Sequence, residues 1–187
     1  MRKAFKPAPW LFPQPVTIIA AYDKDGNIDA MNAAWVGQGG NTQIIAELTP
    51  THGTVKNFLE TGAFTIAFAD AAHEWEADYL GMTSANNVPD KFEKSGLTAT
   101  KSEVVNAPVI NEFPLALECE VTSYDKETQI LKGEIKGITA DESVLDADGT
   151  INPEKLEAIV FDPIKHGYYK LGEKVGNAFK DGTEPKK

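Results

Sequence analysis

The residues of this sequence that could bind a ligand are mainly hydroxyls, amides and glycines. The segment Thr51–Thr54 (THGT) carries two hydroxyls and leads into a run with helical spacing. The first amide hydrogens of a helix are free, so hydroxyls beside them could hold a phosphate group. Lys91, which follows the polar pair Thr83 and Ser84, could add one positive charge. Threonines before a helix also act as ordinary N-caps, and the segment alone fits both interpretations.

Other common catalytic patterns are missing from the sequence. The single cysteine, Cys119, excludes an internal disulfide, a CxxC redox pair and a cysteine-based zinc or iron–sulfur site. There is no GxGxxG after a strand, no Walker loop and no HExxH. His52, His73 and His166 are scattered and predict no metal site; a structural role is the better interpretation of His73, and both roles stay open for the other two. Any redox function must therefore use a bound cofactor.

The composition narrows the classes of partner. The 187 residues are 42% hydrophobic and 25% charged, as in ordinary globular domains, and the formal net charge is -10. A negative surface repels nucleic acid, and no apolar run is long enough to span a bilayer. Prolines from Pro7 onward interrupt the one segment that begins like a signal peptide. We expect a cytoplasmic protein that binds neither nucleic acid nor membrane.

Short apolar, β-branched stretches separated by turn residues predict a mainly β protein. The predicted strands cover Pro15–Tyr22, Asp29–Val36, Gln43–Leu48, Ala63–Ala69, Leu115–Tyr124 and Ile130–Thr139. The predicted short helices cover Val55–Glu60, Ala71–Leu80, Asp90–Gly96 and the residues after Asn152-Pro153. This pattern indicates a small antiparallel β-barrel with helical insertions, in one domain over residues 1–180 with a flexible tail over 181–187.

The last two strands show the clearest alternation. Cys119 falls on the apolar side of Leu115–Tyr124, whereas Glu118 and Glu120 fall on the polar side. Strict alternation is typical of a strand that packs on a core with one face and meets water with the other. We therefore predict a core position for Cys119 and a solvent-facing position for Glu118.

Several segments stand in a characteristic order over nearly the whole chain. They are Lys6–Pro13, the stretch PVTIIAAYDKDGNIDAMNAAW, Thr49–Thr54, Gly81–Ser84, Asp90–Phe92, Ala107–Ile110, Leu117–Cys119 and His166–Gly172. In this order they resemble the flavin reductase-like, FMN-binding split-barrel family, and within it the flavoredoxin-like proteins.

The resemblance implies an antiparallel split barrel of the Greek-key type that binds flavin mononucleotide (FMN). The AMNAAW segment would lie against the flavin ring through its backbone, while the threonine-led helix and the serine/lysine loop would bind the phosphate. The cofactor-binding residues implied in this way are Ala30, Met31, Asn32, Ala33, Ala34, Trp35, Thr49, Thr51, His52, Thr54, Thr83, Ser84, Lys91, Tyr168 and Tyr169. No catalytic side chain and no metal ligand are implied, because the cofactor carries the redox chemistry.

The resemblance also implies a function and an assembly. Electrons would pass from NADH, NADPH or a reduced partner through FMN to a small-molecule or protein acceptor. The alternatives are a flavin-binding or electron-carrier module without its own NAD(P)H turnover, and a flavin-free barrel that kept only the fold. Relatives are usually homodimers with the flavin near the interface, where Tyr168 and Tyr169 would lie. His52 and Asn32 stand where relatives often carry arginine and threonine, which predicts reversible FMN binding.

Overall fold

The computed structural model describes residues 1–183, which form mainly β-strands. The strands are β1 (Gln14–Pro15), β2 (Thr17–Tyr22), β3 (Ile28–Ala33), β4 (Val36–Gln38), β5 (Gln43–Glu47), β6 (Ala63–Phe68), β7 (Ala99–Lys101), β8 (Pro108–Ile110), β9 (Leu115–Asp125), β10 (Ile130–Ala140), β11 (Ile159–Asp162) and β12 (Gly167–Lys170). The helices are α1 (Gly53–Thr61), α2 (Glu74–Met82) and α3 (Lys91–Lys94), and Glu142–Val144 form a 3-10 turn. Within residues 1–183, no helix is long and apolar enough to cross a membrane.

Seven strands form one antiparallel sheet in the order β3-β2-β6-β9-β10-β5-β4. Its two edges are β3 and β4, although only residues 34 and 35 separate these strands in the chain. Three Cα–Cα steps span at most about 11 Å, so the two edges lie close together where the chain crosses between them. The sheet is therefore curled into an open barrel. Two smaller sheets, β1-β11-β12 and β7-β8, complete the fold, and the predicted mainly β barrel with helical insertions is confirmed.

The hairpin of β9 and β10 matches its predicted strands closely. Its register runs from the Ile130–Asp125 pair to the Ala140–Leu115 pair, with irregularities after Lys132 and after Ile135. Gly133 lies at the first irregularity, where an added Cβ would be 2.5 Å from Cζ of Phe64. A side chain does not fit there, so glycine allows the hairpin to pack closely on the core.

The predicted solvent-facing position of Glu118 in β9 is wrong. Glu118 is 1% exposed, because the segment 102–107 folds over that face and packs Val105 and Ala107 against Ala63. The Ser102 hydroxyl donates a hydrogen bond to Oε2 of Glu118, and Oε1 is buried without a hydrogen-bond partner. The predicted alternation was correct in period, but a distant loop covers the polar face.

Hydrophobic side chains fill both faces of the curled sheet. One cluster includes Ile19, Met31, Val55, Phe58, Phe64, Cys119 and Leu131. The cluster on the other side includes Ile18, Ala30, Ala77, Leu80, Phe92 and Phe113. Helix α1 therefore packs on one face, and α2 and α3 pack on the other. Cys119 is a core residue as predicted, and burial raises the pKa of its thiol to about 12.

The helix predicted after Asn152 is wrong. Residues 153–157 form turns, and the Asn152 side chain accepts a hydrogen bond from the amide of Glu154. An asparagine that binds the backbone two residues ahead favours a turn over a helix. Of the predicted tail 181–187, residues 181–183 are exposed, and residues 184–187 lie outside the described residues.

Candidate functional site

Two cavities meet at the edge strand β3, where the helical layers of the two sheet faces approach each other. The larger has a volume of about 390 Å³ and the smaller of about 120 Å³. Met31, Asn32 and His52 line both cavities, so the two cavities are immediate neighbours. We call them the larger cavity and the smaller cavity.

The smaller cavity opens on the first turn of α1. The N-cap residue is His52, which makes no side-chain capping bond, and the first turn contains no acidic residue. Threonine capping, one of the two interpretations of the sequence, is therefore not what the structure shows. A helix start without a side-chain cap leaves amide hydrogens available to an anion. The first turn of α1 thus provides neutral donors for a phosphate group.

Glycine allows the start of α1 to approach its neighbours closely. A Cβ on Gly53 would lie 3.0 Å from Oδ2 of Asp29 and 3.2 Å from Cβ of Ala85. A Cβ on Gly81 would similarly lie 3.1 Å from Cβ of Asn32, at the end of α2. Larger residues at either glycine would separate the helices from β3 and widen the smaller cavity.

The loop after α2 closes the other side of the smaller cavity. Thr83, Ser84 and Ala85 line it, and the first two are among the residues predicted to bind the phosphate. Asn86 anchors this loop to α1: its side chain donates to the carbonyl oxygen of Thr51 at 2.9 Å and accepts from Lys56 at 3.1 Å. The structure therefore brings together the helix start and the hydroxyl-rich loop.

A buried ion pair borders the smaller cavity: Lys91 lines the cavity, whereas its partner Asp29 does not. Nζ of Lys91 lies 3.2 Å from Oδ1 of Asp29, and the Thr54 hydroxyl donates to Oδ2 of Asp29 at 2.8 Å. Nζ of Lys91 also donates to the carbonyl oxygen of Thr83 at 3.0 Å. Lys91 and Thr54, two of the residues predicted to bind the phosphate, line the cavity, but both are already bonded to protein groups. Sequence analysis missed Asp29; its one signal was an acid within a strand of small and apolar residues.

The larger cavity has a mostly apolar lining that includes aromatic rings. β3 and its continuation contribute Met31, Ala33, Ala34 and Trp35, and Trp35 is 54% exposed. The lining also includes Phe161 and His166, whose rings stack at 6.3 Å with an interplanar angle of 13°. Such a site suits a planar aromatic ligand.

Most of the predicted site residues line one of the two cavities. Those that do so are Met31, Asn32, Ala33, Ala34, Trp35, Thr49, His52, Thr54, Thr83, Ser84 and Lys91. Ala30 does not, because strand alternation points it into the opposite core cluster. Thr51 contributes its carbonyl oxygen to the Asn86 anchor.

Tyr168 and Tyr169 do not line either cavity. The Tyr168 hydroxyl donates to Asp78 at 2.8 Å, and burial together with this carboxylate raises its pKa. Tyr169 is half exposed. Sequence analysis missed Phe161 and Pro163, which lie on the larger cavity although they are distant from β3 in the chain.

The histidines have different environments. Burial and the nearby Lys91 ammonium hold the pKa of His52 below its usual value, so its ring is neutral at neutral pH. His73 lies outside both cavities and pairs with Asp70 at 2.9 Å, which agrees with a structural role. His166 lines the larger cavity. Within the described part of the chain, no cluster of three or more His, Cys, Asp or Glu residues could hold a metal ion.

Comparisons with known proteins agree with this geometry. The family model of the flavin reductase-like domain matches residues 10–156. Flavoredoxin of Desulfovibrio vulgaris (Miyazaki F) is 34% identical, with a TM-score of 0.92 over 97% of this chain and 100% of that chain. The chain spans about half the length of the curated relatives that it matches.

Two more distant structures share the fold. A split-barrel domain protein from Shewanella frigidimarina is 20% identical, with a TM-score of 0.76 over 89% of this chain and 85% of that chain. The FMN-binding domain of a flavin reductase-like enzyme from Shewanella baltica is 17% identical, with a TM-score of 0.75 over 88% and 89% of the two chains. The curled sheet is therefore a split barrel.

Proposed function

The chain belongs to the flavin reductase-like domain family, and we propose that it binds FMN in the two neighbouring cavities and transfers electrons through it. When bound, the flavin supplies the redox chemistry. The observation that carries the proposal is the start of α1 without a side-chain cap, which lines a small cavity next to a larger, mostly apolar one. This shape and polarity match a phosphate joined to an aromatic ring system.

The residues of the chain would bind and orient the flavin rather than exchange protons with it. The amides of the first turn of α1, with Thr83 and Ser84, would hold the phosphate by neutral donors. Met31 and the 33–35 segment would lie along the ring, and Phe161 with His166 would exclude water from it. A larger cavity that is open on one side leaves room for a second reactant.

Two modes of electron transfer fit this site. In the first, NADH or NADPH donates a hydride at the open side and a second acceptor then takes the electrons. In the second, the protein is an electron carrier without its own NAD(P)H turnover, which is supported by the likeness to flavoredoxin at 34% identity. The family name favours the first mode.

Binding and turnover can be tested on the purified protein. We expect added FMN to bind and to quench the fluorescence of Trp35. Trp35→Phe should remove most of the quenching, whereas Trp75→Phe, a matched change at a tryptophan outside both cavities, should retain it. Bleaching of bound FMN by NADPH or NADH without oxygen supports the reductase, and binding without bleaching supports the carrier. Failure to bind FMN overturns both.

We also propose that the protein is a homodimer with the flavin near the subunit interface. Trp10, Leu11 and Phe12 are exposed on an extended arm that borders the larger cavity through Pro9. Aromatic and apolar residues exposed next to a site are typical of an interface. Light scattering should return twice the mass of one chain. A single-chain mass with FMN still bound would contradict the dimer.

A further inference from the structure

A phosphate site ordinarily presents positive charge, yet the lysine that lines the smaller cavity, Lys91, is paired with the buried carboxylate of Asp29. We infer that Asp29 sets how strongly the site distinguishes FMN from riboflavin, the same flavin without the phosphate, by holding Lys91 away from the phosphate. The inference rests on the proposed flavin binding and concerns a residue that the sequence did not indicate.

The ion pair is well protected from solvent. Asp29 is 5% exposed and Lys91 is 3% exposed, and Nζ lies 3.2 Å from Oδ1. Charges this deeply buried are screened little by water or salt, so each strongly affects an anion in the adjacent cavity. Because Lys91 lines the cavity and Asp29 does not, the carboxylate reduces the attraction of the ammonium for an anion there without cancelling it.

Lys91 and Asp29 form their hydrogen bonds with other groups of the protein. Lys91 donates to the carbonyl oxygens of Thr83 and Leu80, at 3.0 and 3.4 Å. Oδ2 of Asp29 accepts from Thr54, whereas Oδ1 is buried without a hydrogen bond and has the Lys91 ammonium beside it. Lys91 is therefore engaged by protein groups, and a phosphate would be held mainly by the neutral amides of α1.

Replacing the acid by its amide tests this inference. Asp29→Asn keeps the shape and an acceptor for Thr54 but frees the Lys91 charge. We expect FMN to bind about tenfold more tightly, the gain of one charge-assisted hydrogen bond, while riboflavin affinity stays the same.

Asp25→Asn is the matched control. Asp25 is exposed on the turn before β3, so its substitution changes the net charge equally without touching the cavity. We expect it to leave the affinities for both flavins unchanged. An equal gain in FMN affinity from Asp25→Asn would assign the effect to overall charge and overturn the inference.

Two further variants distinguish an effect of charge on FMN binding from a loss of the folded structure. Lys91→Met leaves the Asp29 carboxylate uncompensated and should weaken FMN but not riboflavin. The double variant Asp29→Asn/Lys91→Met contains no buried charge at this position and should return FMN affinity towards that of the wild type. This variant keeps the test available even if Asp29→Asn does not fold.

The outcomes distinguish the inference from the proposed function. If the wild type binds neither flavin, the proposed function fails. If the wild type binds FMN but Asp29→Asn weakens both flavins equally, Asp29 only supports the fold. An unchanged ratio of FMN to riboflavin affinity also overturns the inference.

Discussion

Two buried carboxyl groups in this protein are held in opposite ways. Asp29 has a lysine ammonium 3.2 Å away, and both of its side-chain partners, Lys91 and Thr54, line the smaller cavity. Glu118 is bonded by the neutral hydroxyl of Ser102, lies under the 102–107 segment and lines neither cavity. Each has one oxygen buried without a hydrogen bond. Burial alone therefore does not mark a functional acid; the partner and the adjacent space do.

The two carboxyl groups differ in the interaction that stabilises the structure around them. The Asp29 region joins β3, α1 and α3 through one charge pair, so loss of either charge leaves the other buried and unpaired. The Glu118 region joins a strand to its covering loop through neutral donors. We expect the first region to be sensitive to charge and the second to hydrogen bonding.

The largest expected loss of stability comes from breaking the charge pair of Lys91 and Asp29. Lys91→Met should lower the free energy of unfolding by about 3–5 kcal/mol, because the Asp29 carboxylate stays buried without a counter-ion. Urea unfolding followed by circular dichroism measures this change. Adding Asp29→Asn should restore much of the loss. A decrease below about 1 kcal/mol for Lys91→Met would mean that water reaches the pair, as at surface ion pairs.

An intermediate loss of stability is expected when the hydrogen bond between Ser102 and Glu118, under the 102–107 segment, is removed. Ser102→Ala removes the donor to Glu118 and the acceptor of the Val104 and Val105 amides, and should cost about 1–3 kcal/mol. The matched change Glu118→Gln keeps an acceptor for Ser102 and should cost at most about 1 kcal/mol. Equal losses in the two variants would show that the carboxyl itself stabilises the loop, which would remove the contrast with Asp29.

The smallest effect is expected for the chemical reactivity of Cys119, which follows Glu118 in β9 and lies on the opposite face of the strand. Burial raises the pKa of the Cys119 thiol to about 12, and the carboxylates of Glu118 and Glu134 contribute in the same direction. The thiol therefore stays protonated well below that pH, and iodoacetamide should not label the folded protein at about pH 8. Mass spectrometry should find labelling only in urea. Rapid labelling of the native protein would mean that β9 opens readily and that Glu118 is less protected than Asp29.

Local pattern predicted the strands well and the contacts between distant segments poorly. The β9 and β10 strands follow from alternation within each strand, and Cys119 lies in the core as that alternation requires. Glu118 was placed wrongly because the loop that covers it lies elsewhere in the chain. Short-range patterns contain no information about such coverage.

In the candidate site, too, the order of segments could be predicted from the sequence, whereas contacts between distant residues could not. The resemblance identified most of the segments that line the two cavities, since their order along the chain is visible in the sequence, but it missed Phe161 and Pro163. It did not indicate that Thr54 and Lys91 are bonded to Asp29, because that network joins residues from three separate elements. The turn at Asn152 was missed because its side chain competes with helical hydrogen bonding.

The two-residue crossing from β3 to β4 has a consequence for how the protein folds. These strands are consecutive in the chain but occupy opposite edges of the sheet. Each pairs locally, β3 with β2 and β4 with β5, but the sheet between them is complete only after β2–β6, β6–β9 and β5–β10 have paired. Those pairings join segments far apart in sequence and form slowly. The wall of the larger cavity is therefore expected to be among the last parts to assemble, and recovery of ligand binding during refolding would follow closure of the barrel rather than formation of its first hairpins.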